Sequence, residues 1–204
     1  MNKPGRKIVI FGCGGHSRSV ADVLLAKNPK ENLVFVDYNA QDYEKIYGFE
    51  VKQQYTFNDE DEAIFLAIGD NELRKEKFEA VGKKLITIIS DTAHIGHCSS
   101  IGPGCFVGNF CHVGPSSFID KNTILNTGSI IEHEVSIGAH CHIGPNATIS
   151  GRCEIDELVF IGVGATVKDF IKICPNVLVG AGATVVSNIV EPGIYLGTPA
   201  RRIK

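Results

Sequence analysis

The 204-residue chain contains no tryptophan, only one methionine and no large excess of charge of either sign. Its 20 basic and 23 acidic residues give a net charge of −3, which argues against an electrostatic nucleic-acid surface. No apolar run approaches the roughly 20 residues of a membrane-spanning helix, and no secretory leader is recognisable. We therefore expect a cytoplasmic protein without a membrane span.

The seven cysteines contain no CxxC pair, which favours free thiols over disulfides or a structural zinc site. The seven histidines also lack the spacing of a zinc ligand set, so no metal is expected. Four of the cysteines follow the six-residue pattern described next, where we interpret them as small core residues. These are Cys105, Cys111, Cys141 and Cys153.

An uninterrupted six-residue repeat fills the second half of the chain. Every sixth position from Ile95 to Val185 is Ile, Val or Leu. Three short strands would then form each 18-residue coil, with the aliphatic side chains stacked inside a triangular prism. A helix would instead repeat near 3.6 residues. The pattern predicts a parallel β-helix of roughly five coils, with coils about 4.8 Å apart.

Residues 1–90 lack this repeat and predict a small α/β domain, which leaves 91–204 for the β-helix and a C-terminal tail. Alternating strand and helix patterns favour a parallel sheet. Asp70 is a candidate N-cap for the helix that follows it, and we interpret the charged run 74–77 as a solvated helix face. The predicted strands are Lys7–Phe11, Leu33–Asp37, Ala63–Gly69 and Leu85–Ile89.

The turn after the first strand, residues 12–17, is rich in glycine and resembles a dinucleotide-binding fingerprint. Ser17 stands where the third glycine of that fingerprint belongs, and Asp37 follows Gly15 by 22 residues, near the usual acidic position. Glycines at such a turn let backbone N–H groups approach a pyrophosphate. A tight strand-to-helix turn without a ligand remains the alternative.

The combination of both parts resembles one family, the sialic-acid O-acetyltransferases and bacterial UDP-4-amino-sugar N-acetyltransferases. The resemblance covers nearly the whole chain, and its motifs lie at 12–17, 65–74, 126–134 and 197–202. It implies a Rossmann-like α/β domain that holds a nucleotide sugar, followed by a left-handed parallel β-helix of hexapeptide repeats. It also implies acetyl-CoA as co-substrate and a homotrimer with active sites between subunits.

The same resemblance implies the site residues. His133 is expected to be the general base that accepts a proton from the attacking amine, with Glu134 orienting its imidazole. The residues expected to contact the nucleotide sugar are Gly14, Gly15, His16, Asp37 and Gly69. Those expected to contact acetyl-CoA are His142, Gly151, Val163 and Ala181. The implied activity is N-acetylation of a UDP-4-amino-4,6-dideoxy sugar for bacterial surface glycans or glycoproteins.

Elementary chemistry supports part of this assignment. Histidine suits a general base, because its unperturbed pKa is about 6.5. Neighbouring residues on a strand point to opposite sides, which argues against a direct hydrogen bond between His133 and Glu134. Segments 161–167 and 179–185 repeat one coil apart, so Val163 and Ala181 are expected on one edge, a narrow track for a pantetheine arm. Simple repeat similarity predicts the same glycines.

Other activities fit the same residues. The acceptor could be a hydroxyl of sialic acid, or the amine of a GDP- or dTDP-linked sugar. A nucleotide-binding module on an inert β-helix is an alternative from another class, and a partial NAD-dependent oxidoreductase is disfavoured because the second nucleotide-binding half is missing. Flat prism faces also predict contacts between subunits through exposed phenylalanines. These are Phe106, Phe110, Phe118 and Phe160.

Overall fold

The structure, a computed structural model, describes residues 7–56, 62–81 and 85–204. The chain divides into two compact units, Met1–Ile88 and Ile89–Lys204. We describe each unit by itself and call them the α/β unit and the β-helix. The expected boundary after residue 90 stays a prediction.

The α/β unit is built on a five-stranded sheet in the order β3-β4-β2-β1-β5. The sheet is parallel except for the β3–β4 pair. Its strands are β1 Lys7–Phe11, β2 Leu33–Val36, β3 Lys45–Ile46, β4 Phe49–Lys52 and β5 Glu62–Leu66. Helix α1 spans Gly15–Lys27 and helix α2 spans Asn71–Val81. Strands β1 and β5 are central and almost wholly buried, which explains their continuous apolar sequences.

Two parts of this unit differ from expectation. The antiparallel β3–β4 hairpin was not predicted; it turns at Tyr47 and Gly48, whose φ angles are 50° and 88°. The predicted last strand, Leu85–Ile89, is divided: Leu85 forms an isolated bridge with Ile64, whereas Ile88–Ile89 begins a sheet of the β-helix. An apolar run does not reveal which sheet its backbone will join.

The β-helix has three faces whose coils pair in parallel, as the repeat predicted; the exception is the C-terminal pair β23–β24, which is antiparallel. The first face contains β7 His94–Ile95, β10 His112–Val113, β13 Ile130–Ile131, β16 Thr148–Ile149, β19 Thr166–Val167 and β22 Thr184–Val185. The second contains β8 Ser100–Ile101, β11 Phe118–Ile119, β14 Ser136–Ile137, β17 Glu154–Ile155 and β20 Lys172–Ile173. The third contains β6 Ile88–Ile89, β9 Phe106–Val107, β12 Ile124–Leu125, β15 His142–Ile143, β18 Phe160–Ile161, β21 Val177–Val179, β23 Gly193–Leu196 and β24 Arg201–Arg202.

Consecutive coils pair in a register of 18 residues, so each core side chain stacks on an equivalent one. Ile131, for example, pairs with Val113 before it and Ile149 after it, and all three are fully buried. The four predicted core cysteines are also buried, with exposures of 2% or less. The hexapeptide pattern therefore fixes both the strands and their stacking.

One expectation about the faces is wrong. Phe106 is only 1% exposed, so it does not belong to an exposed apolar row. Phe110 and Phe118 are exposed, at 71% and 49%, and Phe160 is half-buried. Sequence period alone distinguishes inward from outward positions of a coil, but it does not show which outward positions are covered by other parts of the chain.

Candidate functional site

His133 and Glu134 lie in the turn that joins the first face to the second, which we call the first corner. Nδ1 of His133 lies 2.9 Å from Oε2 of Glu134, and about half of each side chain is exposed. A carboxylate only accepts hydrogen bonds, so Nδ1 of His133 is the donor of this pair. The pair therefore orients the imidazole so that Nε2, in the neutral form of the ring, is the nitrogen with a free lone pair.

The strand rule by which neighbouring side chains point apart does not apply to this pair, because Glu134 is not in a strand. Its φ angle is 58°, in the left-handed region, and it ends the tight turn before β14. This conformation turns the side chain back towards His133 instead of alternating it across a pleat. A backbone turn, rather than side-chain spacing, creates the dyad.

Gly151 lies one coil after His133 and directly beneath its ring. A Cβ atom at this position would lie 2.7 Å from both Cε1 and Nε2 of His133. Such a distance is far below normal van der Waals contact. The missing side chain thus gives the imidazole its place on the corner.

Two further residues of the first corner extend this pair: Arg152 contacts Glu134, and Phe170 contacts Arg152. The Nε atom of Arg152 donates a hydrogen bond to Glu134 Oε2 at 2.9 Å, and the guanidinium lies 5.4 Å from the ring centroid of Phe170. The hydrogen bond from His133, with the positive charge of Arg152, lowers the pKa of the Glu134 carboxyl. Sequence reasoning missed Arg152, although its separation of 18 residues from Glu134 indicated it.

In the α/β unit, the glycine turn is formed by distinct demands on each residue. Gly12 has a φ of 107°, and a Cβ there would lie 2.7 Å from the Ala67 carbonyl oxygen, so only glycine fits. Gly14 is the N-cap of α1 and Gly15 its first residue, and added Cβ atoms at both would meet open space. The start of α1 is therefore free of side chains on this side.

The other candidate residues of this turn also have identifiable contacts. Ser17 is fully buried, and its hydroxyl donates to the Gly14 carbonyl at 2.7 Å, which explains a serine in place of the third glycine. The ring of His16 lies 6.4 Å from that of Phe65 on the neighbouring strand β5. His16 therefore occupies the first turn of α1 beside the central sheet.

Asp37 directly follows β2 and connects it to the glycine turn. Its Oδ2 accepts a hydrogen bond from the Cys13 N–H at 3.1 Å, and its Oδ1 accepts one from the Asn39 N–H at 2.9 Å. Burial, followed by the nearby Asp37, raises the pKa of the Cys13 thiol to about 12. Asp37 and the glycine turn are thus brought together at the carboxyl ends of adjacent parallel strands.

Gly69 lies in the loop between β5 and α2, and buried Arg74 fixes this loop. Arg74 Nη1 donates to the carbonyl oxygens of Ile68 and Gly69 at 3.0 and 3.3 Å, while Nη2 donates to Asn71 Oδ1 at 2.9 Å. Arg74 is only 1% exposed, so its assignment to a solvated helix face was wrong. Asp70 does cap α2, since its Oδ1 accepts a hydrogen bond from Leu73 N–H at 2.8 Å.

Val163 and Ala181 lie in the turn from the third face to the first, which we call the third corner. The Val163 carbonyl accepts the Gly182 N–H at 2.9 Å, which locks the two coils together. Gly164 and Gly182 follow them with φ angles of 65°, and added Cβ atoms at both would meet open space. The corner is therefore a smooth strip of small residues, with Val163 half exposed.

The four residues expected to contact acetyl-CoA do not lie together in one chain. His142 is in β15 on the third face, 8% exposed, with Nε2 3.1 Å from Asn126 Nδ2 and its ring against Phe160. It is near the third corner in register, whereas Gly151 is at the first corner beneath His133. The first face, about six residues or up to about 20 Å of extended chain, separates these corners.

Within residues 7–56, 62–81 and 85–204, no group of three or more His, Cys, Asp or Glu side chains could hold a metal ion. Nor does any helix of this described part have the length and apolar character needed to cross a membrane.

Two family models match the chain. The one described as "PglD N-terminal domain" matches residues 7–81. The one described as "Bacterial transferase hexapeptide (six repeats)" matches residues 116–151. The first match covers the glycine turn, Asp37 and the loop of Gly69, and the second covers the His133–Glu134 dyad.

Solved structures similar to the chain extend over its full length. The acetyltransferase domain of PglB from Neisseria gonorrhoeae, in complex with acetyl coenzyme A, is 30% identical, with a TM-score of 0.89; the match covers 98% of this chain and 100% of that one. PerB from Caulobacter crescentus, in complex with CoA and GDP-perosamine, is also 30% identical, with 97% of both chains covered and a TM-score of 0.85.

A third structure, WeeI from Acinetobacter baumannii, is 24% identical, with a TM-score of 0.88, and it supports the fold alone. The two matches at 30% identity span both units of this chain, including the Gly-rich turn and the hexapeptide coils. The chain therefore belongs to the family of hexapeptide-repeat sugar acetyltransferases that includes PerB and the acetyltransferase domain of PglB.

Proposed function

We propose that this chain is an acetyl-CoA-dependent N-acetyltransferase that acts on a nucleotide-linked 4-amino-4,6-dideoxy sugar, with His133 as general base. The observation that carries the proposal is the half-exposed imidazole of His133, held by Glu134 at 2.9 Å in a chain of this family. PerB was solved with CoA and GDP-perosamine, and the PglB domain with acetyl coenzyme A. Both partners of the reaction are thus represented among relatives.

The proposed reaction needs a single proton acceptor. The amine of the sugar attacks the thioester carbonyl of acetyl-CoA, while Nε2 of His133 accepts a proton from that amine. The carbon–sulfur bond breaks, and the imidazolium returns the proton to the CoA sulfur. The products are the acetamido sugar and free CoA thiol. Glu134 keeps Nδ1 protonated and stabilises the imidazolium between the two proton transfers.

The nucleotide sugar is proposed to bind the α/β unit. Gly14 and Gly15 place no Cβ atom at the N-terminus of α1, and the backbone N–H groups of a helix N-terminus favour a diphosphate. His16 lies in the first turn of the same helix and is proposed to contact the same ligand. Asp37 and Gly69 follow parallel strands at their carboxyl ends, the usual ligand edge of such sheets.

Acetyl-CoA is proposed to lie along the third corner, where His142, Val163 and Ala181 provide a smooth strip. Gly151 then acts from the first corner, by making space for the imidazole, rather than as part of that strip. His133 and the strip lie on different corners of one prism, which supports an active site completed by a second subunit. We accordingly propose a homotrimer, the simplest closed arrangement for a triangular prism.

The acceptor nucleotide is proposed to be UDP, with GDP as the second candidate because PerB was solved with GDP-perosamine. A cytoplasmic location fits these substrates. The test is release of free CoA thiol when the protein is incubated with acetyl-CoA and each of several UDP-, GDP- and dTDP-linked 4-amino sugars. Thiol release with one of them, and an acetamido product by mass spectrometry, is the expected result.

Three other outcomes would redirect the assignment. Thiol release with a hydroxyl acceptor such as sialic acid, but no amine, would indicate an O-acetyltransferase. Tight nucleotide binding by calorimetry, without binding of acetyl-CoA, would indicate a binding module on an inert β-helix. If fully active protein sedimented with the mass of a single chain, the proposal of an active site completed by a second subunit would be wrong.

A further inference from the structure

Three side chains form a column on the corner that carries His133. Glu134, Arg152 and Phe170 are each 18 residues apart, so they occupy one position in three successive coils. Their φ angles are 58°, 59° and 61°, all in the left-handed region. Because the backbone is the same at each, the side chains leave the corner in similar directions, about 4.8 Å from one coil to the next.

Contacts along the column connect Phe170, through Arg152 and Glu134, to the imidazole of His133. The guanidinium of Arg152 lies 5.4 Å from the Phe170 ring centroid, within the range of a cation–π contact. Its Nε donates to Glu134 Oε2 at 2.9 Å, and that same oxygen lies 2.9 Å from His133 Nδ1. A planar guanidinium can rest its face on a ring while its edge donates, which an ammonium cannot do.

We propose that Arg152 is a positioning residue for His133: it fixes the orientation of the Glu134 carboxylate and offsets its charge, so that the imidazole is held ready to accept a proton. This inference rests on the proposed role of His133. A carboxylate without a counter-charge would favour the imidazolium more strongly, and an imidazolium cannot accept a proton from the amine. Arg152 therefore keeps the Glu134 carboxylate oriented towards the imidazole and reduces the effect of its negative charge on the basicity of His133.

Few other charges occupy this corner. In the first-corner segment of the coil of His133, residues 132–135, the charged residues are Glu132 and Glu134, and in that of the next coil, residues 150–153, the charged residue is Arg152. The coil after that contributes Lys168 and Asp169, which have opposite signs. The preceding coil, residues 114–117, has no charged side chain. Arg152 is thus the cation whose removal most changes the charge next to the dyad.

The test compares Arg152→Met with Lys172→Met. Lys172 forms the same kind of pair, with Nζ 2.8 Å from Glu154 Oε2 one coil away, but on the second face. Imidazole nitrogen shifts of substrate-free, full-length protein are titrated by NMR, with His133→Ala to assign the signal. In Arg152→Met we expect the His133 midpoint to rise by about 0.5 pH unit, as for an exposed charge pair. Lys172→Met should leave it unchanged.

Steady-state kinetics supplies the second readout. In Arg152→Met, kcat should fall about threefold to tenfold with KM nearly unchanged, and the acid limb of the kcat/KM profile should move to higher pH. Arg152→Lys should restore the midpoint but not the full kcat, because it returns the charge without the fork. An unchanged or lowered His133 midpoint in Arg152→Met, or a loss confined to KM, would overturn the proposal. Wild-type protein without turnover would defeat the proposed function instead, since the titration requires no substrate.

Discussion

The β-helix and the α/β unit bring their functional residues together by different rules. In the β-helix, neighbours are found by adding 18: His133 lies over Gly151, and Glu134 contacts Arg152. In the α/β unit, the Cys13 N–H meets Asp37 across 24 residues, a separation set by the path of the chain from β1 through α1 to β2 and not by a repeat of the sequence. A repeating fold thus makes tertiary contacts readable from sequence, whereas a sheet with helices requires its topology to be known first.

The largest effect is expected from replacing the proposed base, His133, which the coil repeat places over Gly151. We expect His133→Ala to reduce turnover about 10²- to 10⁴-fold, which is the usual contribution of a positioned general base. His97→Ala is the matched control, since His97 is exposed in the same corner position two coils earlier. Release of CoA thiol is the measurement. Equal rates for the two variants would remove His133 from the mechanism.

Stability offers a direct comparison between equivalent positions. Ile131→Ala and Ile149→Ala, fully buried on adjacent coils, should each lower the free energy of unfolding by about 2–5 kcal/mol and agree within about 1 kcal/mol. Their environments repeat, so their cavities should be alike. Urea unfolding of each variant is the measurement. Ile10→Ala and Ile64→Ala, at non-equivalent buried positions of the α/β unit, show how much two such losses differ without a repeat. If Ile131→Ala and Ile149→Ala differed by as much, their equivalence would be contradicted.

The α/β unit should be most sensitive at Arg74. Arg74→Met removes the donors to two loop carbonyls and to Asn71 Oδ1, and we expect a loss of about 3 kcal/mol. Amide hydrogen exchange should show the loss in the loop of Gly69 and helix α2. Lys77→Met, on the same helix but 38% exposed, is the control and should change little. Equal protection in both variants would mean that the buried guanidinium is dispensable.

A smaller effect is expected at Gly151, where the absence of a side chain leaves room for the His133 ring. Gly151→Ala should push the imidazole of His133 from its place and lower kcat about tenfold to a hundredfold. Stability should change by less than about 1 kcal/mol, because an exposed ring can move away. Ser150→Ala, the preceding residue, serves as control. Thermal unfolding together with kcat separates displacement of the base from general damage.

The smallest effect concerns the Cys13 thiol. Its pKa is raised from 9.0 to about 12, first by burial and then by Asp37, so the folded state holds the proton more tightly. The resulting stabilisation is present below pH 9 and is lost as pH rises from about 9 to about 12. At pH 8, Cys13 should react with iodoacetamide at least about a hundredfold more slowly than exposed Cys98. Mass spectrometry of the labelled peptides gives both rates, and comparable rates would refute the shift.

Much of the fold was predictable because local pattern and global contact coincide. The period of six identified the inward positions from Ile95 to Val185, and the alternation of apolar runs identified β1, β2 and β5. The β3–β4 hairpin was not predicted, since its strands are short and half polar. The division of residues 85–89 was not predicted either, because an apolar sequence does not show whether its backbone joins the sheet of the α/β unit or a sheet of the β-helix.

The site was predictable only in part. Resemblance supplied His133, Glu134 and the glycines, and their roles stay predictions. The strand rule left the bond between His133 and Glu134 open, and the structure shows it, because a left-handed residue at a corner does not alternate as a strand does. Arg74 was misjudged because its charge suggested solvent, while four nearby acceptors in one loop and helix start make its burial favourable.

The sequence by itself determined the β-helix, since a strict period admits one arrangement in which every aliphatic side chain is buried. It also determined the positions of the Gly-rich turn and of the cap at Asp70. Only the tertiary structure decided that Glu134 turns back onto His133 and that Arg152 reaches the same oxygen. Those contacts depend on the backbone angles of the corner and on side-chain directions, which the period of the sequence does not specify.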